Sequence, residues 1–315
     1  LSLRREVTSN LAGTAGASRS SSPFPQNSPI ARQLSEQKYK GRRRRRCKRS
    51  RFRLHPNKFR KGKSNMHTIS ICNKKGGTGK TTLTANIAYE LAYRGKKVLM
   101  LDLDAQSDLT AIYRPANFSG PDILDVLQKK CRISEAVVRI NDNLFLVPGS
   151  KDIASFDFAG SVGALLPVVK HFAAKKMDFA LIDHPPSLHE AALAGLAASD
   201  GALIVSEPEF LSVKNISQLI RDLNAIKKTL QPDLRILGVA FNKIDLRRNL
   251  TSDTLAKCRS ILGKSMFDTT VSIDSAIPNS HNQNLPVRNL RWRSRTVTQF
   301  SDLASELVRR LGVGK

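Results

Sequence analysis

Asn73-Lys74-Lys75-Gly76-Gly77-Thr78-Gly79-Lys80-Thr81-Thr82 lies between a short β-branched run, Thr68-Ile69-Ser70-Ile71, and a helix-patterned stretch from Leu83 to Tyr93. Strand, glycine-rich turn and helix in that order form the phosphate cradle of a P-loop. Gly76, Gly77 and Gly79 let the backbone curl until several N–H groups converge on one anion. The helix N-terminus adds the positive end of its dipole. Lys80 supplies a point charge for the β/γ-phosphates, and the Thr81 hydroxyl suits Mg²⁺. The cradle is therefore expected to use Gly76, Gly77, Thr78, Gly79, Lys80, Thr81 and Thr82.

The ordinary pattern G-x-x-x-x-G-K-[ST] fails, because Lys74 stands where its first glycine belongs. What fits is K-G-G-x-G-K-T-T, with a second lysine, Lys75, inside the loop. This deviant Walker A box resembles that of the ParA/MinD family of ATPases. A glycine-rich turn with incidental lysines is the competing reading. It has to treat the strand, the glycines, both lysines and the threonine pair as coincidence.

The strand pattern Lys97–Leu103 runs into Asp102-Leu103-Asp104-Ala105-Gln106. Ligands of parallel sheets bind at the carboxyl ends of strands, so Asp102 and Asp104 are expected near the phosphates. The run matches the family's D-x-D-x-Q motif, with Ala105 in place of the usual Pro. Phe179-Ala180-Leu181-Ile182-Asp183 reads as a buried strand ending in a Walker B carboxylate. His184 follows where the family usually has Thr, and its role stays open between structural and catalytic.

Apolar strands continue to alternate with helical patterns. Asn143–Val147, Gly201–Val205 and Ile236–Asn242 read as strands. Pro121–Leu127, Ser161–Lys175, Ala191–Ala198, Ser212–Leu230 and a closing stretch with Phe300, Leu303, Leu307 and Leu311 read as helices. This alternation predicts an α/β fold with a doubly wound, mostly parallel sheet, helices on both faces and right-handed crossovers. Further likeness to ParA proteins lies in Leu246–Thr251, Ile273–Ser280 and Leu285-Pro286-Val287. The resemblance spans roughly 66–312. Asn242-Lys243-Ile244-Asp245 also matches the N-K-x-D guanine reader of GTPases. In ParA-like proteins that strand end lies beside the base, usually adenine.

The resemblance implies an Mg²⁺-dependent ATPase that sandwiches two ATPs in a homodimer and turns over slowly alone. Lys75 would reach the partner's phosphates as an arginine finger does. Asp104 would position the attacking water, Thr81, Asp102 and Asp183 would serve the metal, and Asn242 would lie at the nucleotide. It also implies sequence-independent DNA binding and an activating centromere-binding, ParB-like partner. A protein of this kind would be cytoplasmic and nucleoid-associated. Arg288, Arg291, Arg293 and Arg295 are the candidate phosphate contacts, with Arg247, Arg248 and Trp292 near them. The alternative is a MinD-like, membrane-associated positioning ATPase. The closing helix does not favour it, since its apolar residues read as core and its late cations are few.

The formal charge is +26, unevenly spread. Residues 1–65 carry 19 lysines and arginines against two acids, Glu6 and Glu36, and the remaining 33 basic residues face 24 acids. The 1–65 stretch, with its Arg42–Arg46 run, is expected to be disordered. It reads as a polyanion-binding tail, a transit peptide or sequence upstream of a start at Met66. Residues 66–315 are expected to form the ATPase domain. Cys47, Cys72, Cys131 and Cys258 have no metal-ligand spacing, which suits a reducing compartment.

Overall fold

The computed structural model describes residues 65–113, 119–209, 212–245, 247, 249–291 and 293–313. The readings of 1–64, Leu246, Arg248 and Trp292 lie outside the described residues.

β1 (His67–Cys72) leads through the loop into α1 (Lys80–Tyr93), which begins three residues earlier than its apolar pattern. β2 (Val98–Asp102) and α2 (Asp108–Tyr113) follow, then α3 (Ile123–Leu127), held by an Asp122–Asp125 capping box. Next are β3 (Val138–Arg139), β4 (Leu144–Val147), α4 (Leu166–Ala174), β5 (Phe179–Asp183), α5 (Glu190–Ala197) and β6 (Gly201–Ser206). α4 is shorter than the sequence pattern suggests, because Pro167 starts a helix but does not continue one. The chain closes with α6 (Ser212–Thr229), β7 (Arg235–Ile244), α7 (Asn249–Leu262), β8 (Met266–Ser272), α8 (Ala276–Asn282), α9 (Val287–Leu290) and α10 (Arg295–Leu311).

The strands form one eight-stranded sheet in the order β3-β4-β2-β5-β1-β6-β7-β8. All neighbours are parallel except β3 and β4. Strand alternation divides the core in two. Val98, Met100, Phe179 and Leu181 join the cluster beneath α1 and α10. Leu99, Leu101, Ala180 and Ile182 join the cluster beneath α4 and α5. The chain leaves β1 for β2, returns to β5 and then crosses β1 to β6, so the carboxyl ends of β1, β2 and β5 meet at one edge. Ile71 pairs with Asp183, and Asp102 pairs with Asp183.

β8 is an edge strand whose spacing against β7 is irregular. Glu306 of α10 accepts from the Asp268 and Thr269 N–H groups, and Arg310 donates to the Leu237, Lys264 and Met266 carbonyls. A side-chain pair thus satisfies backbone groups in an irregular stretch of the β7–β8 edge. No helix among the described residues is long and apolar enough to cross a membrane.

Candidate nucleotide site

The loop's shape is set from behind by the end of β7. Asn242 Nδ2 donates to the Thr78 carbonyl at 3.0 Å, and Lys243 Nζ donates to the Gly77 carbonyl at 2.5 Å. A peptide's C=O and N–H point opposite ways. Tying those two carbonyls to β7 therefore turns the Thr78 and Gly79 N–H groups the other way, as an anion nest requires. Gly79 has φ 90°, and a β-carbon there would stand 2.0 Å from Asn242 Nδ2. Only glycine fits.

In front of the loop is a cleft of about 500 Å³ lined by Gly76, Gly77, Gly79, Lys80, Thr81 and Thr82. Asp104, Asp108, Pro186, Lys243 and His281 complete its polar and proline wall. Burial pushes the Lys80 ammonium below its usual range, against the pull of Asp183 and Asp104. Asp183 is fully buried, and its Oδ2 has no partner. Thr84 Oγ1 lies 3.4 Å from Oδ1 but sits closer, at 2.9 Å, to the Lys80 carbonyl. Burial, and then the Asp102 charge beside it, push the Asp183 carboxyl well above the ordinary range. Asp102 is raised too, first by burial.

Lys75 is absent from the cleft wall. It lies in a separate recess with Asn73, Ser206, Glu207 and Glu209. Its ammonium, half-exposed, pairs with Glu207 at 3.3 Å and with Glu209. Glu207 also holds Lys243 at 2.9 Å, and Lys74 pairs with Asp222.

A family profile described as an AAA domain matches residues 66–236. The chain is 30% identical to the "Chromosome-partitioning ATPase Soj" of Treponema pallidum over 251 residues, 78% of this chain and 98% of that protein. The crystal structure of cobyrinic acid a,c-diamide synthase from Mycobacterium smegmatis, with bound ATP analogue and magnesium, superposes with TM-score 0.69 at 25% identity, covering 79% and 97% of the two chains. A chain of the MinC:MinD cell division protein complex of Aquifex aeolicus gives 0.65 at 25% identity, covering 79% and 97%. The chain belongs to the ParA/MinD family. It is a ParA/MinD-type ATPase.

Within this ParA/MinD frame, Lys75, Thr78, Asp102, Asp183 and Asn242 are the expected nucleotide-site residues that do not line the cleft. Asn242 is buried behind the loop, where its Nδ2 braces the Thr78 carbonyl while its Oδ1 has no hydrogen-bond partner. The same contact, with that of Lys243, accounts for the first two residues of the N-K-x-D match; Asp245 pairs with Arg247. Asp102 has both oxygens engaged. Oδ1 accepts from Asp104 N at 3.1 Å, and Oδ2 accepts from Thr110 N and Oγ1 at 3.0 and 2.7 Å. Thr110 Oγ1 in turn accepts from Gly149 N. Asp102 thus orders the turn that presents Asp104. Arg288, expected at DNA, is engaged within the fold. It donates to both carboxylate oxygens of Glu90, at 2.8 and 2.6 Å, and stacks 4.3 Å over the Tyr93 ring. Its guanidinium pins α9 to α1, whereas Arg291, Arg293 and Arg295 are exposed.

His184 is fully buried at the end of β5. Ser199 donates to the Gly195 carbonyl, so Ser70 must donate to Ser199, and His184 Nε2 must donate to Ser70 at 2.7 Å. That chain leaves Nδ1 as a bare acceptor, and burial pushes the imidazole pKa down to about 3. The ring is a neutral cross-link between strands. A β-carbon on Gly195 would stand 2.4 Å from its Cε1, so the histidine at 184 depends on the glycine at 195.

Sequence reading missed Glu207, Glu209 and His281. Ser206-Glu207-Pro208-Glu209 follows an apolar strand and so sits at a ligand-side strand end, which is a usable signal. His281 carries no local signal, because chain topology alone brings it to the cleft.

Proposed function

We propose that this ParA/MinD ATPase is a DNA-partition ATPase. It binds ATP with Mg²⁺ and pairs with a second copy across the nucleotides. In that form it binds duplex DNA without sequence preference, and it hydrolyses ATP when a centromere-binding, ParB-like partner stimulates it. On this reading it works in the cytoplasm, on the nucleoid.

The observation that carries the reading is the position of Lys75. It is built into the phosphate loop yet lies outside its own cleft, held by Glu207 and Glu209, and reaching a neighbouring site would mean leaving those two carboxylates. Among the described residues, no group of three His, Cys, Asp or Glu could hold a metal unaided. That suits Mg²⁺, which takes one or two protein ligands and completes its shell with phosphate oxygens and water. The partnerless Asp183 Oδ2 and the Thr81 hydroxyl fit it, directly or through water. Bound Mg²⁺ neutralises charge on the β/γ-phosphate oxygens. Lys80 adds a cation at the same oxygens, and Asp104 orients water.

Membrane docking through α10 is less well supported. Phe300, Leu303, Leu307 and Leu311 are already buried in the core and are not offered to a bilayer. Lys75→Ala tests the main reading. ATP binding should stay within a few-fold, while ATP-dependent dimerisation and hydrolysis are lost. Light scattering with and without ATP reads the first and phosphate release the second; a variant that still pairs and turns over sinks the proposal.

A further inference from the structure

His281 lines the nucleotide cleft, and the chemistry assigned so far gives it nothing to do. Its Nε2 is buried and has no hydrogen-bond partner. An orphaned nitrogen in the wall of a ligand cleft calls for a partner that arrives with the ligand.

Topology says which part of the ligand. β7, with Lys243, lies on one side of β1, and β2 lies on the other. The turn after β2 carries Asp104, and α2 carries Asp108, Ala111 and Ile112 of the same cleft. Asp108 is the acid that acts on His281 electrostatically. His281 is therefore on the Asp104 side of the loop. Burial holds its ring below the ordinary imidazole range, so it is neutral and keeps one lone-pair nitrogen at neutral pH.

Rigid elements hold it there. His281 lies in the last turn of α8, where the Asn284 N–H closes on its carbonyl at 3.0 Å. The next helix, α9, is registered on α1 through Asn86, whose Oδ1 accepts from Val287 N at 3.1 Å. Asn86 Nδ2 donates to the carbonyl of Thr82, itself a cleft residue, at 2.9 Å.

We propose that His281 holds the attacking water opposite Asp104. A water has two protons. If it donates one to the Asp104 carboxylate and the other to His281 Nε2, its free lone pair is aimed by two fixed acceptors. Either acceptor alone leaves it free to swing. The proposal rests on the ATPase reading, and on Asp104 being the other acceptor.

The test is single-turnover hydrolysis of Mg-ATP by the full chain, with ATP affinity measured separately. His281→Phe keeps a ring but no nitrogen, and should slow hydrolysis roughly tenfold or more while ATP affinity stays within about twofold. His281→Gln restores an acceptor at similar reach and should recover most of the rate. Should the Phe variant not fold, as judged by thermal unfolding, His281→Asn, too short to reach, should show the same loss. Three results overturn the proposal: parental turnover in the Phe variant, an equal fall in affinity and rate, or a Gln variant as slow as Phe. A parent chain that hydrolyses no ATP would instead strike at the ATPase reading itself.

Discussion

Asp102 and Asp183 sit directly opposite each other on β2 and β5, both without solvent exposure. Only Asp102 has both oxygens engaged by hydrogen bonds. Without a cation the pair favours protonation. A carboxyl whose folded pKa is raised binds more protons folded than unfolded, so stability falls as pH climbs above the ordinary carboxylate value of about 4. The nucleotide-free protein should therefore lose stability from about pH 4 through neutrality. Asp183→Asn should flatten that slope and raise the unfolding temperature at pH 8 by a few degrees. Differential scanning calorimetry across pH checks this, and an unchanged slope removes Asp183 as its source.

Asp104→Ala should arrest the ATP-bound state. It leaves Lys80, Thr81 and the loop N–H groups in place, so nucleotide should still bind. Loss of the water-orienting carboxylate should slow single-turnover hydrolysis by about a hundredfold. ATP-dependent pairs should then accumulate in light scattering. Unchanged turnover transfers the role to another group.

Gly79→Ala should both destabilise the protein and abolish nucleotide binding. The new methyl meets Asn242 Nδ2 on a backbone with φ 90°. Strain and collision together should cost about 2 kcal/mol or more. Chemical denaturation measures the first effect, and fluorescent-nucleotide titration the second.

The arginines should separate by role. Charge reversal of Arg291, Arg293 and Arg295 to Glu should abolish ATP-dependent binding to duplex DNA, with ATP-driven pairing intact. Removing one arginine–phosphate pair should flatten the plot of log K against log salt by about 0.9. Filter binding of residues 66–315 at several salt concentrations tests this; equal binding with and without ATP in the parent defeats the partition reading.

Arg288→Ala should instead act on stability. Glu90 is 2% exposed, and losing its partner strands a buried carboxylate at a cost of about 3 kcal/mol. Arg291→Ala, made on the exposed run, should leave denaturation unchanged within about 0.5 kcal/mol.

The strands that build the cleft were readable because each is a buried apolar run with a loop signal at its end. Val98–Asp102 and Phe179–Asp183 carry their acids at the position where a parallel sheet binds ligands. β8 was not readable. Asp268, Thr269 and Thr270 interrupt its apolar pattern, and Glu306, about forty residues away, accepts backbone N–H groups there. α8 and α9 are too short to show a helical period, so the cleft role of His281 and the anchoring role of Arg288 could not be seen. The Lys75 clamp was half visible: the lysine stands out in the loop, but its partners Glu207 and Glu209 come from a strand end more than 130 residues on.

The docking of α10 has a consequence for synthesis on the ribosome. α1, which opens at Lys80, is covered by the helix that runs from Arg295 to Leu311. A nascent chain that has exposed the phosphate loop still lacks the lid over its first helix until some two hundred further residues have emerged. Chains of this length fold through intermediates as they are made. The face of α1 that α10 covers stays uncovered in that interval, and competence to hold nucleotide should follow the emergence of α10.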